Sequence, residues 1–530
     1  MQVRILCFVI TSPINLDKRA IHVKKTWGKR CTTLLFFSSE ANTSFPTIGL
    51  NTSEGRNHLT AKTMQGFRYV YDQYYGEVDW FMKTDDDTYV IMENLRYFLS
   101  SQNTKDPVYF GHHFKPKVKQ GYYSGGAGYV LSKEALKRIA TTGNNPQFCN
   151  QDGYDEDVDL GECMERLGVK TANTTDAMGR SRFHCFELEM HLFGGYPDWY
   201  YEYDANGAKQ GVNSISEYAI SFHYVPQQKM YALEFYVYHL RPYDKDEIAR
   251  KLSKQIRVLC FVITSPMNLD KRAIHVKKTW GKRCTKLLFF GSETNISFPV
   301  IGLNTSEGRN HLTAKTMQGF RYVYDQYYDE ADWFMKADDD TYVILENLRY
   351  FLSSQDTRDP VYFGHHFIGK EVKQGFNSGG AGYVLSKEAL RRLSRTGSNK
   401  QFCKQDGGQE DLNVGICMEK LGVKIVNTTD FLGRTRFHCY TLESHLFGNY
   451  PQWYYVHDAN GAHKGTDSIS NYAISFHYVK PQRMYELEFF VYHLNPYGIE
   501  TGHQNLNQPA NVFNMKKYLF SEKVAFKGHV

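Results

Sequence analysis

The sequence predicts an α/β protein made of two tandem domains, each a mostly parallel sheet layered with helices. Three observations predict this. The chain of 530 residues is too long for one ordinary domain. It also repeats itself: Ile5-Leu-Cys-Phe-Val-Ile-Thr-Ser-Pro13 returns as Val258-Leu-Cys-Phe-Val-Ile-Thr-Ser-Pro266, an offset of 253 residues. Within each copy, short apolar runs alternate with segments of helical period, the pattern of a sheet covered by helices. The offset becomes 254 after an insertion near Gly369, and the match runs on to Tyr243 and Tyr497. The expected domains are 1–243 and 256–497, joined by a charged linker at 244–255 and followed by a polar tail at 498–530.

The elements follow in order. Ile5–Thr11 and Leu34–Ser38 are apolar runs without helical period and read as buried strands. Asp17–Trp27 between them reads as a helix, with Ala20, Val23, Lys24 and Trp27 on one face. Leu59–Tyr75 is a longer helix, with Phe67, Val70, Tyr71 and Tyr74 at helical spacing. Asp79–Lys83 is a strand that runs into three carboxylates. Val108–Gly111 and Gly128–Leu131 are further strands, and Ser132 is placed to cap the helix that starts at Lys133.

Composition narrows the function classes. Hydrophobic residues make up 42%, which excludes a disordered chain. The net charge of +6 is small and dispersed, which argues against a nucleic-acid partner. No run approaches the length of a membrane span, and no export signal precedes Ile5. Yet five cysteines per copy and six Asn-x-Ser/Thr sequons (Asn42, Asn51, Asn173, Asn295, Asn304 and Asn427) favour the secretory pathway. The expectation is therefore a chain given without its true N-terminus, with a soluble form as the alternative. Cys7–Cys31 and Cys149–Cys163 are plausible local disulfides, repeated as Cys260–Cys284 and Cys403–Cys417; a core thiol at Cys7 is the alternative. Cys185 and Cys439 are left over, either free or paired with each other.

Four motifs are candidates for chemistry. Asp85-Asp86-Asp87 and Asp338-Asp339-Asp340 end a strand, where such sheets bind ligands. Alternate residues in extended backbone face one side, so Asp85 with Asp87, and Asp338 with Asp340, are candidate ligands of a divalent cation. A solvated acidic turn is the plain alternative. Ser124-Gly-Gly-Ala-Gly128 and Ser378-Gly-Gly-Ala-Gly382 precede a strand rather than a helix, which is wrong for a phosphate loop. Their glycines admit close approach of a substrate or another backbone, or else a tight turn. Glu156-Asp157 and Glu410-Asp411 are the acids retained in both copies at the start of a helix, where they serve as a cap or as a base. His184, His223, His438 and His477 are each metal ligands or core histidines, and His112-His113 with His365-His366 are weaker candidates.

Together these stretches (Asp-Asp-Asp-Thr-Tyr-Val, Gly-Gly-Ala-Gly-Tyr-Val-Leu-Ser, Glu-Asp before a glycine, and Ser-Phe-His-Tyr-Val) resemble the core 1 beta-1,3-galactosyltransferases, the glycoprotein-N-acetylgalactosamine 3-beta-galactosyltransferases. The resemblance covers nearly all of both copies. It implies two tandem GT-A domains, Rossmann-like nucleotide-diphospho-sugar transferases. It implies Mn2+, with Mg2+ possible, UDP-galactose as donor, and a glycoprotein or mucin-type acceptor bearing GalNAc. It implies inversion, with Asp157 and Asp411 as bases. His223 and His477 then complete the metal sites, with His184 and His438 as second choice. Asp86, Asp339, Gly125, Gly126, Gly379 and Gly380 line the donor site. The Golgi or secretory lumen is implied too, and the two copies could form an intramolecular pseudo-dimer. The alternative is a non-catalytic relative, a chaperone or a glycan-binding module. Departures stand out: Ser214-Ile215 and Ser468-Ile469 replace the family's adjacent cysteines, and Thr60 or Thr313 replaces an aromatic.

Overall fold

The computed structural model describes residues 3–242 and 247–499. They form two units: 3–240 with Leu442–Phe447 and Lys480–Ile499, and Arg241–Thr441 with Gly448–Val479. Of the expected linker, Glu247–Gln255 is helical, and residues 244–246 lie outside the described residues. So does the tail from residue 500 onward.

Each unit is built on a seven-stranded sheet. In the first, the spatial order is Lys170–Thr171, Val108–Phe110, Tyr129–Ser132, Trp80–Asp85, Ile5–Ile10, Thr33–Ser38 and Ile48–Gly49. All neighbours run parallel except Tyr129–Ser132, which is antiparallel to both its partners. All six residues of Ile5–Ile10 are buried, as expected of a central strand covered on both faces. That register sets Ile10 beside Asp85, so the acidic triplet emerges at the carboxyl edge of the sheet. The second unit repeats this, with Val258–Ile263 beside Trp333–Asp338 and Ile263 opposite Asp338. A three-stranded sheet, Phe183–His184, Ser221–Phe222 and Tyr89–Val90, lies beyond the triplet and carries both histidine motifs.

The helix Leu59–Tyr74 buries Ala61, Met64, Phe67 and Val70, the stripe that faces the sheet. Phe67 meets Phe8 edge-on at 5.2 Å. Ser132 caps Lys133–Thr141, its side chain accepting from the Ala135 amide. One expectation fails locally. Asp17–Trp27 is not a single helix but a wide turn at Leu16–Ala20, a short helix Ile21–Lys25 and a tight turn Trp27–Arg30. The break swings Trp27 fully into the core, where its indole N–H donates to the Thr88 carbonyl, and leaves Lys24 exposed.

Disulfides join Cys7 to Cys31, Cys149 to Cys163, Cys260 to Cys284 and Cys403 to Cys417. Cys185 and Cys439 are free thiols, both buried, the first of the two alternatives open from sequence. Each thiol instead has polar neighbours, His112 and Tyr200 beside Cys185 and His365 and Tyr454 beside Cys439.

Candidate active site

The strand Trp80–Asp85 delivers Asp85 at its last position, and the turn that follows brings Asp87 back toward it. His223 reaches the same point from the end of Ser221–Phe222. Its Nε2 lies 3.1 Å from Asp87 Oδ1 and 3.8 Å from Asp85 Oδ2. Its Nδ1 is 3.2 Å from the Cys185 carbonyl, an acceptor that leaves Nε2 as the nitrogen facing the carboxylates and the one that would ligate a cation there. Asp338, Asp340 and His477 repeat the arrangement, with Nε2 3.1 Å from Asp340 Oδ1. In each copy two carboxylate oxygens and one imidazole nitrogen lie within 4.8 Å of one another. That donor set fits a hard to borderline divalent cation such as Mn2+ or Mg2+.

Asp86 points away, as the alternation of the strand requires. It accepts from Thr11 Oγ1 at 2.8 Å, and Arg19 spans Asp86 and Asp87 at 3.3 and 2.9 Å. Burial pushes the Asp86 carboxyl up to about 6. Burial also acts on Asp87, but His223 and Arg19 outweigh it and hold that carboxyl below its ordinary range. Asp339 and Asp340 behave in the same two ways.

The glycine motif sits between this triad and the acid pair. A β-carbon on Gly126 or Gly380 would overlap the ring of His223 or His477. One on Gly125 or Gly379 would stand 2.5 Å from Oε2 of Glu156 or Glu410. What these glycines admit is the chain's own side chains, His223 and Glu156 in one copy and His477 and Glu410 in the other. The helix Glu156–Arg166 opens on the acid pair. Asp157 accepts from the Val158 amide at 2.9 Å and faces the Gly125 amide at 3.5 Å. Burial, with help from Glu156, raises its carboxyl to about 6. Burial raises Asp411 as well.

The other histidines lie elsewhere. His184 is fully buried, with Nδ1 3.0 Å from the Ser221 carbonyl, and burial lowers it to about 3. His438 pairs likewise with the Ser475 carbonyl at 2.9 Å. His112 is buried against Asp204 at 3.2 Å, and His365 against Asp458 at 3.0 Å. None of these four joins the clusters of carboxylates and histidine.

Sequence reasoning passed over an aromatic shelf. Tyr224 adopts φ 55°, a conformation few non-glycine residues tolerate, and its ring stacks 3.9 Å from that of His223. Phe186 follows at 6.1 Å and Trp199 at 6.0 Å beyond it. Tyr224 and Trp199 are about half exposed, at 53% and 43%. Tyr478, Tyr440 and Trp453 rebuild the shelf in the second copy. High aromatic content was the one available signal, and it could not separate shelf from core.

Comparison with known proteins follows the same division. The Fringe-like family model matches residues 3–187 and again 254–483. A glycoprotein-N-acetylgalactosamine 3-beta-galactosyltransferase 1 from Xenopus laevis is 46% identical over 244 residues, covering 45% of this chain and 68% of that protein. A beta-1,3-glucosyltransferase from Mus musculus is 30% identical over 158 residues, covering 29% and 31%. Chondroitin sulfate synthase 3 from Mus musculus is 30% identical over 182 residues, covering 30% and 20%. The chain thus spans less than a third of the last two. Both of its sheets carry the GT-A arrangement of glycosyltransferases. The chain belongs to the Fringe-like family of glycosyltransferases, as a tandem duplicate of the core 1 beta-1,3-galactosyltransferase kind.

Proposed function

We propose that each copy transfers galactose from UDP-galactose to the 3-hydroxyl of GalNAc α-linked to Ser or Thr of a glycoprotein, with inversion. The supporting observation is one constellation built twice: Asp85, Asp87 and His223 converge on one side of Gly125-Gly126, with Asp157 on the other. A divalent cation held by Asp85, Asp87 and His223 would neutralise charge developing on the diphosphate leaving group.

The chain's own residues supply the rest. Arg19 holds Asp87 and Asp86 in place, so the triad is ordered before ligands arrive. Asp157, in ionised form, takes the proton from the acceptor hydroxyl as it attacks from the face opposite the departing group. Its buried surroundings raise its basicity, which suits that task near neutral pH. Tyr224 and Trp199 offer flat faces for an acceptor sugar beside the reacting centre. Work in the Golgi or secretory lumen belongs to the same reading, supported by four disulfides. Among the described residues no helix is long and apolar enough to cross a membrane.

The test incubates the purified chain with Mn2+, a GalNAc-α-Thr peptide and either UDP-galactose or UDP-glucose. The expected product is a β1,3-linked galactosyl peptide that a chelator abolishes. Preference for UDP-glucose would reassign the donor, and no transfer from either would refute the reading.

A further inference from the structure

Lys83 is a charged residue in the middle of a core strand, and only 3% of it is exposed. An ammonium so placed costs several kcal/mol unless its charge is met. It is met on two sides. Nζ lies 2.8 Å from Asp85 Oδ1 and 3.5 Å from Glu156 Oε2, and it donates to the Gly125 carbonyl at 3.3 Å. Lys336 repeats this with Asp338 at 2.6 Å, Glu410 at 3.7 Å and the Gly379 carbonyl at 3.2 Å. The second Glu156 oxygen is taken by the Tyr129 hydroxyl. One cation therefore touches the candidate metal carboxylate, the glycine turn and the helix that carries Asp157.

The two oxygens of Asp85 are divided. Oδ1 faces Lys83, and Oδ2 faces His223. We propose that Lys83 and Lys336 are positioning residues that withhold one oxygen of Asp85 or Asp338 from the cation and tie that carboxylate to the acid pair. The metal carboxylate then binds through one oxygen, and its geometry is coupled to the placement of the base. The word base rests on the function proposed above; the competition between ammonium and metal does not.

Mn2+ affinity provides a readout independent of turnover. It is measured by calorimetric titration of the full chain, with the second metal site removed by Asp338→Asn and Asp340→Asn. Lys83→Met is expected to bind Mn2+ several-fold more tightly while transfer by the first copy falls at least tenfold. A lysine that merely supported the fold would lower both together, and that outcome overturns the proposal. Glu156→Gln leaves Lys83 to pair with Asp85 alone, so Mn2+ binding is expected to weaken several-fold. In the double variant that weakening is expected to disappear, because its route through Lys83 is gone. An equal effect of Glu156→Gln in both backgrounds overturns the coupling. If Lys83→Met does not fold, Glu156→Gln alone still decides, since unchanged Mn2+ affinity refutes a shared cation. Absence of galactosyl transfer in the parent chain would sink the proposed function and leave the Mn2+ result standing.

Discussion

Gly126 lies so close against His223 that the imidazole occupies the space a β-carbon would need, and Gly380 stands in the same relation to His477. The Cys185 carbonyl holds the ring through Nδ1, so a displaced ring would lose that bond. Gly126→Ala is therefore expected to displace His223 from Asp85 and Asp87. Mn2+ affinity of the first copy should fall about tenfold or more, the usual scale for losing a well-oriented ligand. Titration with Mn2+ in a chain lacking the second metal site checks it; unaltered affinity would remove His223 from the ligand set.

The two copies carry the same machinery, so each should work alone. Asp157→Asn is expected to leave the second copy active, and Asp411→Asn the first. The double variant should lose about two to four orders of magnitude, the range attributed to a positioned base. Initial rates of the three variants check this. A double variant as fast as either single one would assign the base elsewhere.

The pH profile follows from Asp157. Its carboxyl is raised to about 6 by burial first and Glu156 second, and a base must be ionised. The rate of the Asp411→Asn chain is thus expected to rise through pH 6 and level off above it. A limb near pH 4, the range of an exposed carboxylate, would contradict a half-buried base.

The same burial has a cost in stability. A folded-state value above the unfolded one means that Asp157 contributes stability when protonated, below about pH 4, and loses it as pH rises through 6. Asp157→Asn should then raise the unfolding free energy of metal-free protein at pH 7.5 by about 1–3 kcal/mol, and have little effect at pH 4. Denaturant titration at the two pH values distinguishes this from a cap whose removal would destabilise at both.

The copies differ at the rim. In the first, Arg56 donates to the Tyr154 hydroxyl at 3.1 Å and its guanidinium lies 5.9 Å from the ring centroid. In the second, Gly408 stands at the position equivalent to Tyr154, with a φ of 72° that a tyrosine would rarely adopt. Tyr154 stands two residues before the acid pair's helix, so the clasp borders the site. Tyr154→Gly in the Asp411→Asn chain is expected to shift the acceptor KM severalfold toward that of the second copy, with kcat within about twofold. Steady-state kinetics on one glycopeptide would show it; identical KM values for the two unaltered copies would dismiss the rim as a determinant.

Much was determined by the sequence alone. The repeat, the alternation of strands and helices and the carboxylates at a strand's end required only local period and spacing, because a strand alternates and a helix turns every 3.6 residues whatever surrounds it. Asp85 and Asp87 on one side, with Asp86 on the other, followed from that rule, as did the cap at Ser132. The tertiary structure decided what depends on residues far apart in the chain. His223 rather than His184 meets the triplet because Ser221–Phe222 lies between its two neighbours, leaving His223 at the strand's end while His184 is enclosed. Gly125 and Gly126 acquire their meaning from side chains about 30 and 97 residues away. Lys83 is one charged residue among the apolar ones of its strand. Only packing, which closes a helix and a turn over its ammonium, turns it into the link between two sets of acids.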